Sequence, residues 1–204
     1  MLLLGLTGSI AMGKSTVAQY LRSKCITVCD ADAIVHDLYR GRAVTPIEAA
    51  FPGTTTPEGV DRTVLSAVLA GDPGALARLE AIVHPLVRAE EIACLDAAYE
   101  AGATIAVLEI PLLFETNTHN KVDAVAVVSA PPEVQRRRIL ERPDMTAAKL
   151  DLILARQTPD AEKRALADFV IDTAGTFEET YEQVDCMLEA LADRHGDAYE
   201  KHWS

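Results

Sequence analysis

The sequence predicts an α/β fold in which a five-stranded parallel sheet has helices on both faces. Three observations support this prediction. Five short apolar runs alternate with helical patterns, an order that is typical of a parallel sheet. The first run leads directly into a glycine-rich, phosphate-binding motif. The chain has 204 residues, which is enough for one such domain with insertions.

The predicted strands and helices follow from the spacing of apolar residues. The strand-like runs are residues 1–7, 26–30, 104–110, 122–129 and 168–172. Residues 36–102 carry no strand signal, so we expect a helical insertion there. It contains a helical pattern over 75–100, which Pro85 should interrupt or kink. A second polar helical segment is predicted over 132–157.

Composition excludes some classes of function. The formal net charge of −12 disfavours a nucleic-acid-binding protein, because affinity for polyphosphate backbones comes mostly from clustered lysines and arginines. The sequence has no apolar run long enough to span a membrane, and its apolar start MLLLGL lacks a basic leader. We therefore expect a cytoplasmic protein without a membrane partner.

The strongest chemical signal is the stretch GSIAMGKS at residues 8–15, which matches G-x-x-x-x-G-K-[ST]. In such a loop, backbone N–H groups and a helix N-terminus surround polyphosphate oxygens. Gly8 and Gly13 allow backbone angles that a side chain would forbid. Lys14 is expected to reach the β and γ phosphates of a nucleoside triphosphate, and the Ser15 hydroxyl to ligate Mg²⁺. Structural use of the glycines alone would not need the lysine.

Two carboxylates follow the second predicted strand. Asp30 and Asp32 lie in CDADAIVH, at the strand end where open α/β sheets bind ligands. In a kinase, a carboxylate at this place can accept the proton of the acceptor hydroxyl and help to position Mg²⁺. Alternatively, one of the pair caps the following helix. We expect both roles, with Asp32 functional and Asp30 bonding backbone N–H groups.

A cluster of basic residues lies in the polar helical segment. Its arginines are Arg136, Arg137, Arg138 and Arg142. Arg138 and Arg142 are four residues apart and would share a helix face. One interpretation is a lid that carries arginines toward a transferring phosphoryl group. The other is a solvated helix whose arginines pair with Glu133 and Glu141.

Two short stretches of the chain match sequence motifs of GTPases. Residues 120–123 read NKVD and residues 172–175 read DTAG, which match N-K-x-D and D-x-x-G. In a GTPase the D-x-x-G motif comes first, but here the order is reversed. The NKVD motif also follows the polar stretch ETNTH rather than a strand. We therefore interpret both matches as chance.

Segments along almost the whole chain resemble one family of small-molecule kinases. They are GLTGSIAMGKSTVA, DADAIVHDLY, GVDR, LEAIVHPLV, EIPLLFET, PPEVQRRRILER and ARQTPDAEKRALADFVID. Together they resemble the dephospho-coenzyme A kinases. Such enzymes transfer the γ-phosphate of ATP to the ribose 3′-hydroxyl of dephospho-coenzyme A, which completes coenzyme A. The resemblance implies a P-loop kinase fold similar to that of nucleoside monophosphate kinases, and a phosphotransferase with an alcohol group as acceptor.

The resemblance also implies a division of the chain. The predicted parts are a core over 1–35, 103–130 and 158–193, a helical acceptor-binding insertion over 36–102, a helical lid over 131–157 and a tail over 194–204. We expect the polar tail to fray at its end.

Roles of individual residues are implied in the same way. Lys14, Asp32 and Arg138 would be catalytic, with Asp32 as the base and Arg138 as the lid arginine. The residues expected at ATP are Gly8, Ala11, Met12, Gly13, Lys14, Ser15, Thr16 and Arg142, with Ser15 also at Mg²⁺. Those expected at the acceptor are Asp32, Arg62, His84, Pro111, Leu112 and Glu115. For His84 the alternative is a side chain bonded to backbone near a helix kink.

The chain departs from the family pattern at a few positions. Ala11 and Met12 replace a common Gly-Ser, which the loop should tolerate because its backbone groups do the binding. Glu109 stands where an aspartate usually precedes I-P-L-L-F-E, and its side chain is one methylene longer. Thr173 replaces an asparagine after the last strand, so a contact with adenine is not expected there.

Two other classes of function remain open at this point. One is a kinase of a different small hydroxyl or nucleoside acceptor, and the other is a nucleotide-binding protein without catalysis. Lys14, Asp32 and Arg138 together argue against the second class. The expected partner is a small-molecule substrate, with no nucleic acid, no membrane, and a monomer or weak homo-oligomer.

Overall fold

The computed structural model describes residues 1–143 and 145–204. Residue 144, inside the predicted lid, lies outside the described residues. The strands are β1 (Leu2–Thr7), β2 (Thr27–Asp30), β3 (Thr55–Thr56), β4 (Gly59–Val60), β5 (Ile105–Glu109), β6 (Ala124–Ser129) and β7 (Phe169–Asp172). The helices are α1 (Lys14–Ser23), α2 (Ala31–Leu38), α3 (Val44–Ala50), α4 (Arg62–Gly71), α5 (Ala75–Glu100), α6 (Pro132–Leu140), α7 (Ala147–Leu154), α8 (Asp160–Leu166), α9 (Phe177–Leu191) and α10 (Ala198–His202). A short 3₁₀ helix spans Thr118–Lys121.

The chain divides into two compact units. The first unit combines Met1–Cys29 with Leu95–Ser204, and the second is Asp30–Cys94.

The main sheet confirms the predicted fold class. Its strand order is β2-β5-β1-β6-β7, with β1 in the centre. Strand β1 is parallel to both neighbours, and Leu4 lies opposite Val107 of β5 and Ala124 of β6. Each strand of this sheet lies inside one of the five predicted runs. Strands β1 and β6 are buried along their full length, as expected for a parallel sheet covered on both faces.

The two faces of the sheet pack against different helices and loops. Because side chains alternate along a strand, even-numbered positions of β1 and β6 share one face. That face packs against α1 and α9 in a core that includes Leu4, Leu21 and Met187. The odd-numbered Val125 and Val127 pack on the other face, against the segment that follows β5.

The second unit is mostly helical, and two details of the prediction for it are wrong. A two-residue hairpin, β3 with β4, lies where no strand was predicted, because such short strands leave no periodic signal. Gly59, the first residue of β4, has a φ of 128°, and an added Cβ there would lie 2.4 Å from the carbonyl oxygen of Tyr39. Pro85 does not interrupt α5, which continues from Ala75 to Glu100 as one helix. Proline removes one helical hydrogen bond, and buried neighbours such as Val83 stabilise the helix around it.

The polar segment after β6 is not a single helix. It forms α6 and α7, which are separate because Pro143 disfavours helical backbone at the residue before it. Thr146 then starts α7 by accepting a hydrogen bond from the backbone N–H of Lys149 at 3.2 Å.

The C-terminal tail is ordered rather than frayed, so that expectation is wrong. Helix α10 packs against β1 and the 3₁₀ helix, and Trp203 is 1% exposed. The indole N–H of Trp203 donates to the carbonyl of Lys121 at 2.7 Å. The carboxylate of Asp123 accepts hydrogen bonds from the backbone N–H groups of Leu3, Asp197 and Ala198. The aspartate of the NKVD motif therefore fastens the tail to β1.

We predict that Trp203→Ala destabilises the protein. The change removes a buried aromatic side chain and leaves the carbonyl of Lys121 without its donor, so the free energy of unfolding should fall by about 3–5 kcal/mol. Chemical denaturation measures this change. The control is Lys201→Ala on the same helix, whose ion pair with Asp197 is exposed and whose removal should cost less than about 0.5 kcal/mol. Equal losses in both variants would contradict the anchoring role of Trp203.

Candidate active site

The phosphate-loop motif lies where the sequence predicts it, between the end of β1 and the start of α1. Gly8 and Gly13 of this motif are each required for a different structural reason. An added Cβ on Gly8 would lie 2.5 Å from the carbonyl oxygen of Val128 in β6. Gly13 has a φ of 93°, and an added Cβ would lie 3.0 Å from the Thr173 hydroxyl. A side chain at Gly8 would require the backbone of β6 to move, and one at Gly13 would be strained by the positive φ.

The amino end of α1 is suited to an anion. Gly13 is its N-cap, and no side chain among the described residues caps this end. The first N–H groups of the helix are therefore available, and the helix dipole adds a partial positive charge. Ser15 lies in the first turn with its side chain exposed, and Thr16 follows it with its N–H on the carbonyl of Gly13.

The departures at Ala11 and Met12 have structural consequences. Ala11 adopts a φ of 61°, a left-handed conformation that costs a residue with a Cβ about 1 kcal/mol. Met12 is 2% exposed, and its sulfur accepts the backbone N–H of Ala130 at 3.2 Å. The Met12 carbonyl accepts the Thr173 hydroxyl at 2.7 Å. The Met12 side chain thus fixes the loop on β6 and does not face the expected phosphate.

Lys14 forms an ion pair that the sequence did not predict. Its ammonium lies 2.6 Å from Oε1 of Glu109, whose side chain is only 3% exposed. Arg22 of α1 approaches the other carboxylate oxygen of Glu109 at 3.3 Å. Glu109 ends β5, beside Leu6 of β1 in the register, which brings its carboxylate to the edge of the sheet where the phosphate loop lies. This buried anion holds the lysine of the loop.

Arg138 lies next to the phosphate loop, but Arg142 does not share its helix face. The Arg138 guanidinium donates from Nη1 to the Thr173 hydroxyl at 2.9 Å and from Nη2 to the Thr173 carbonyl. Because Thr173 also bonds the carbonyl of Met12, Arg138 is linked to the loop through a single bridging residue, Thr173. Helix α6 ends at Leu140, so the expected i, i+4 pairing with Arg142 is wrong, and Arg142 is exposed beyond the helix.

The segment after β5 carries three of the residues expected at the acceptor. The Pro111 carbonyl accepts the hydroxyl of Thr7, at the end of β1, at 3.2 Å. Leu112 is 40% exposed. Glu115 is turned inward instead: its Oε1 accepts the backbone N–H of Thr158 at 2.7 Å and lies 3.1 Å from the ammonium of Lys163.

In the second unit, Asp30 and Asp32 have different surroundings. Asp30 is the N-cap of α2 and accepts the backbone N–H of Ala33 at 3.0 Å, as the capping alternative predicted. Asp32 lies in the first turn of α2 and is exposed. Asp32 is free of the capping role and remains the predicted base.

The other two acceptor-side residues lie on separate helices of the second unit. Arg62 begins α4, directly after its N-cap Asp61, and its guanidinium lies 5.2 Å from the centre of the Tyr39 ring. His84 is exposed on the uninterrupted α5, so the alternative that placed it at a helix kink loses its basis. Their roles at the acceptor stay predictions.

The side-chain oxygen donors near the phosphate loop are of the kind that binds Mg²⁺. Among the described residues there is no group of three or more His, Cys, Asp or Glu side chains that could hold a metal by themselves. Mg²⁺ bound with a nucleotide normally takes one or two protein oxygens together with phosphate oxygens and water. The exposed Ser15 hydroxyl and the Glu109 carboxylate are hard oxygen donors of this kind.

Comparison with known proteins decides the family. The family model for dephospho-CoA kinase matches residues 2–179. This chain therefore belongs to the dephospho-CoA kinase family. It is 56% identical over 192 residues to the dephospho-CoA kinase of Rhodopseudomonas palustris, covering 94% of this chain and 96% of the relative. It is 53% identical to the dephospho-CoA kinase of Mesorhizobium japonicum, covering 96% and 100%.

A solved structure resembles the fold over nearly its full length. The crystal structure of TT1252 from Thermus thermophilus has a TM-score of 0.80 and 32% identity, covering 96% of this chain and 98% of that one. Within the described residues of this dephospho-CoA kinase family member, no helix is both long and apolar enough to cross a membrane.

Sequence reasoning missed several residues that surround the loop. Glu109 and Thr173 were noted only as departures from the family pattern, yet they hold Lys14 and Arg138. Gln135 and Gln157 were not noted, although both bond the loop residue Ile10. No local pattern could reveal these contacts, since each joins segments far apart in the chain.

Glu115 should make stability depend on pH. Burial raises the pKa of its carboxyl, but the backbone N–H groups of Glu115 and Thr158 and the Lys163 ammonium outweigh burial, so the pKa lies below its ordinary value of 4.5. A carboxyl with a lowered folded-state pKa contributes stability that is present above about pH 4.5 and lost as pH falls through the folded-state pKa.

Glu115→Gln should therefore be less stable than wild type at pH 7, by about 3 kcal/mol, because the buried Lys163 loses its counter-charge. Chemical denaturation at pH values from 7 to 3 measures the difference between the two proteins. It should shrink as the pH falls below 4.5. A difference that stays constant over this range would show that the charge of Glu115 is not the cause.

Proposed function

We propose that this chain phosphorylates the ribose 3′-hydroxyl of dephospho-coenzyme A with ATP, giving coenzyme A and ADP in the final step of coenzyme A biosynthesis. The observation that carries the proposal is a complete phosphate loop in a chain that belongs to the dephospho-CoA kinase family over residues 2–179. The five-stranded parallel sheet places this loop at the carboxyl end of β1, where open α/β sheets bind their ligands.

The phosphate loop would hold the triphosphate of ATP. Backbone N–H groups of the loop other than those of Ile10 and Met12, together with the first turn of α1, would supply donors, while Lys14 supplies a positive charge. The γ-phosphate competes with Glu109 for the ammonium of Lys14, because both are anions that this side chain can reach. Ala11 is a proposed nucleotide residue through its backbone N–H. Met12 and Thr16 remain proposed nucleotide residues, with their own N–H groups on the carbonyls of Ser9 and Gly13.

Mg²⁺ would be held by Ser15 together with phosphate oxygens. When bound, the ion neutralises charge that develops on the phosphates during transfer. Glu109 ends β5 beside the ammonium of Lys14 and would help to orient the water ligands of the ion.

Arg138 would stabilise the transferring phosphoryl group. A guanidinium has five N–H donors, and two of those of Arg138 are used by Thr173. The remaining donors are available to the phosphate oxygens, and Thr173 fixes the plane of the group beforehand. Arg142 is exposed and remains a proposed ATP contact.

At the acceptor, Asp32 is the proposed base. It takes the proton of the 3′-hydroxyl while that oxygen forms a bond to the γ-phosphorus, and the bond from this phosphorus to the bridging oxygen of ADP breaks. Arg62, His84, Pro111 and Leu112 are the proposed binding residues for dephospho-coenzyme A. Glu115 stays a predicted acceptor-side residue, with its buried oxygen turned inward.

We propose that this reaction takes place in the cytoplasm. The acidic net charge of −12 supports a small-molecule substrate rather than nucleic acid. We propose no membrane partner, and a monomer or weak homo-oligomer.

Purified protein with ATP and Mg²⁺ should convert dephospho-coenzyme A to coenzyme A and release ADP. A panel of AMP, nucleosides and sugars serves as the comparison, and each should be turned over far more slowly. ADP release is followed by a coupled assay and the product by mass spectrometry. Turnover of a panel member, with none of dephospho-coenzyme A, would favour a kinase of a different acceptor. Nucleotide binding without any turnover would favour a non-catalytic protein.

Asp32→Asn and Asp30→Asn form a matched pair, because both replace a carboxylate with a nearly isosteric amide in the same turn of chain. Asp32→Asn should fold normally and bind ATP, but lose about 10²- to 10⁴-fold in kcat because the base is absent. Asp30→Asn should keep most of the activity and lower the melting temperature only slightly, since its amide oxygen still accepts the N–H of Ala33 and only the charge at the start of α2 is lost. If Asp30→Asn is the stable and inactive variant, the two roles must be exchanged.

A further inference from the structure

The side-chain amides of Gln135 and Gln157 bond the backbone of Ile10, a residue of the phosphate loop, on both sides. The backbone N–H of Ile10 donates to Oε1 of Gln157 at 3.3 Å, and its carbonyl accepts Nε2 of Gln135 at 2.8 Å. We call Gln135 and Gln157 the Ile10 clamp. Gln135 is 6% exposed on α6, whereas Gln157 lies outside regular structure after α7.

The backbone N–H of Gln157 donates to the carbonyl of Leu154, the last residue of α7, at 3.1 Å. A further hydrogen bond fixes the chain on the other side of Gln157. At this next residue, the N–H of Thr158 donates to Oε1 of Glu115 at 2.7 Å. The same oxygen lies 3.1 Å from the ammonium of Lys163. The side chain of Lys163 is 0% exposed, which makes this pair costly to separate, because an unpaired buried charge is strongly unfavourable.

The lysine is itself held in a fixed position. It lies on α8, and Asp160 at the start of this helix accepts the hydroxyl of Ser129 at 2.7 Å. Ser129 is the last residue of β6, so α8 is tied to the sheet beside the phosphate loop. Ser129 at the end of β6 thus fixes α8 and its Lys163. The ammonium of Lys163 fixes the carboxylate of Glu115, and this carboxylate fixes the backbone at Thr158, next to Gln157.

We propose that Lys163 and Glu115 are positioning residues for nucleotide binding, which they support by holding Gln157 on the peptide N–H of Ile10. The proposal rests on the proposed role of the loop in binding ATP. A loop that is already held in its binding conformation loses less conformational freedom when the phosphates arrive, so its affinity is higher. In this role neither residue touches the nucleotide.

A double-mutant cycle separates this role from a purely structural one. The proteins are wild type, Lys163→Met, Gln157→Ala and the double variant. Binding of ADP is measured by calorimetry without acceptor, and the melting temperature is measured in parallel. The nucleotide affinity can then be interpreted whether or not dephospho-coenzyme A is the acceptor.

Each single variant should weaken ADP binding by about fivefold, the equivalent of one ordinary hydrogen bond. The double variant should bind ADP no more weakly than Gln157→Ala alone, because Lys163 acts through Gln157. Its melting temperature should still fall as much as that of Lys163→Met. In the Gln157→Ala background, Lys163→Met should therefore lower the melting temperature without weakening ADP binding further.

Two further variants serve as controls. Gln135→Ala removes the other half of the Ile10 clamp, and its loss of affinity should add to that of Lys163→Met. Lys201→Met removes a lysine from an exposed ion pair on α10 and should change neither quantity by a measurable amount. If Lys163→Met does not fold, Glu115→Gln replaces it, since the neutral amide no longer forms the ion pair with Lys163 that fixes this side chain.

Two results would overturn the proposal. The first is a folded Lys163→Met or Glu115→Gln variant that binds ADP as tightly as wild type. The second is a loss of ADP affinity from Lys163→Met that is equally large in the wild-type and Gln157→Ala backgrounds.

Discussion

Parallel pairing of β1 with β5 and β6 is the constraint on which the candidate site depends. Because the three strands run in one direction, their carboxyl ends meet at one edge of the sheet. Thr7, Glu109 and Ser129 end these strands. The phosphate loop follows the first, the second holds Lys14, and the third is bonded to α8. A change in strand register would move Glu109 and Ser129 away from the loop that follows Thr7.

Buried charge is the second common feature of this region. Glu109 and Lys163 are both almost fully buried, and each has a partner of opposite charge on another segment. Such pairs contribute little net stability compared with apolar side chains, because desolvation opposes their attraction. Their effect here is geometric: one pair places the ammonium of Lys14, and the other places the backbone before α8. Both act on groups that the proposed mechanism uses.

Two chance motifs illustrate how context decides the role of a residue. Asp123 in NKVD looks like a guanine-binding aspartate, but its carboxylate bonds three backbone N–H groups and joins the tail to β1. Thr173 in DTAG bonds Met12 of the phosphate loop and accepts a hydrogen bond from Arg138. Neither role depends on the motif, since each arises from which segments the sheet brings together.

The sequence by itself determined the five strands of the main sheet, the phosphate loop and the helix after it, because these depend on local periodicity and on glycines at set positions. It also identified the family, through segments spread along the chain, and the cap at Asp30. Only the tertiary structure decided that α5 continues through Pro85, that the segment of Arg138 and Arg142 divides, and that the tail is ordered. The same holds for the contacts of Glu109, Glu115 and Gln157. These features depend on packing and on hydrogen bonds between residues distant in the chain, whose energies no short stretch of sequence contains.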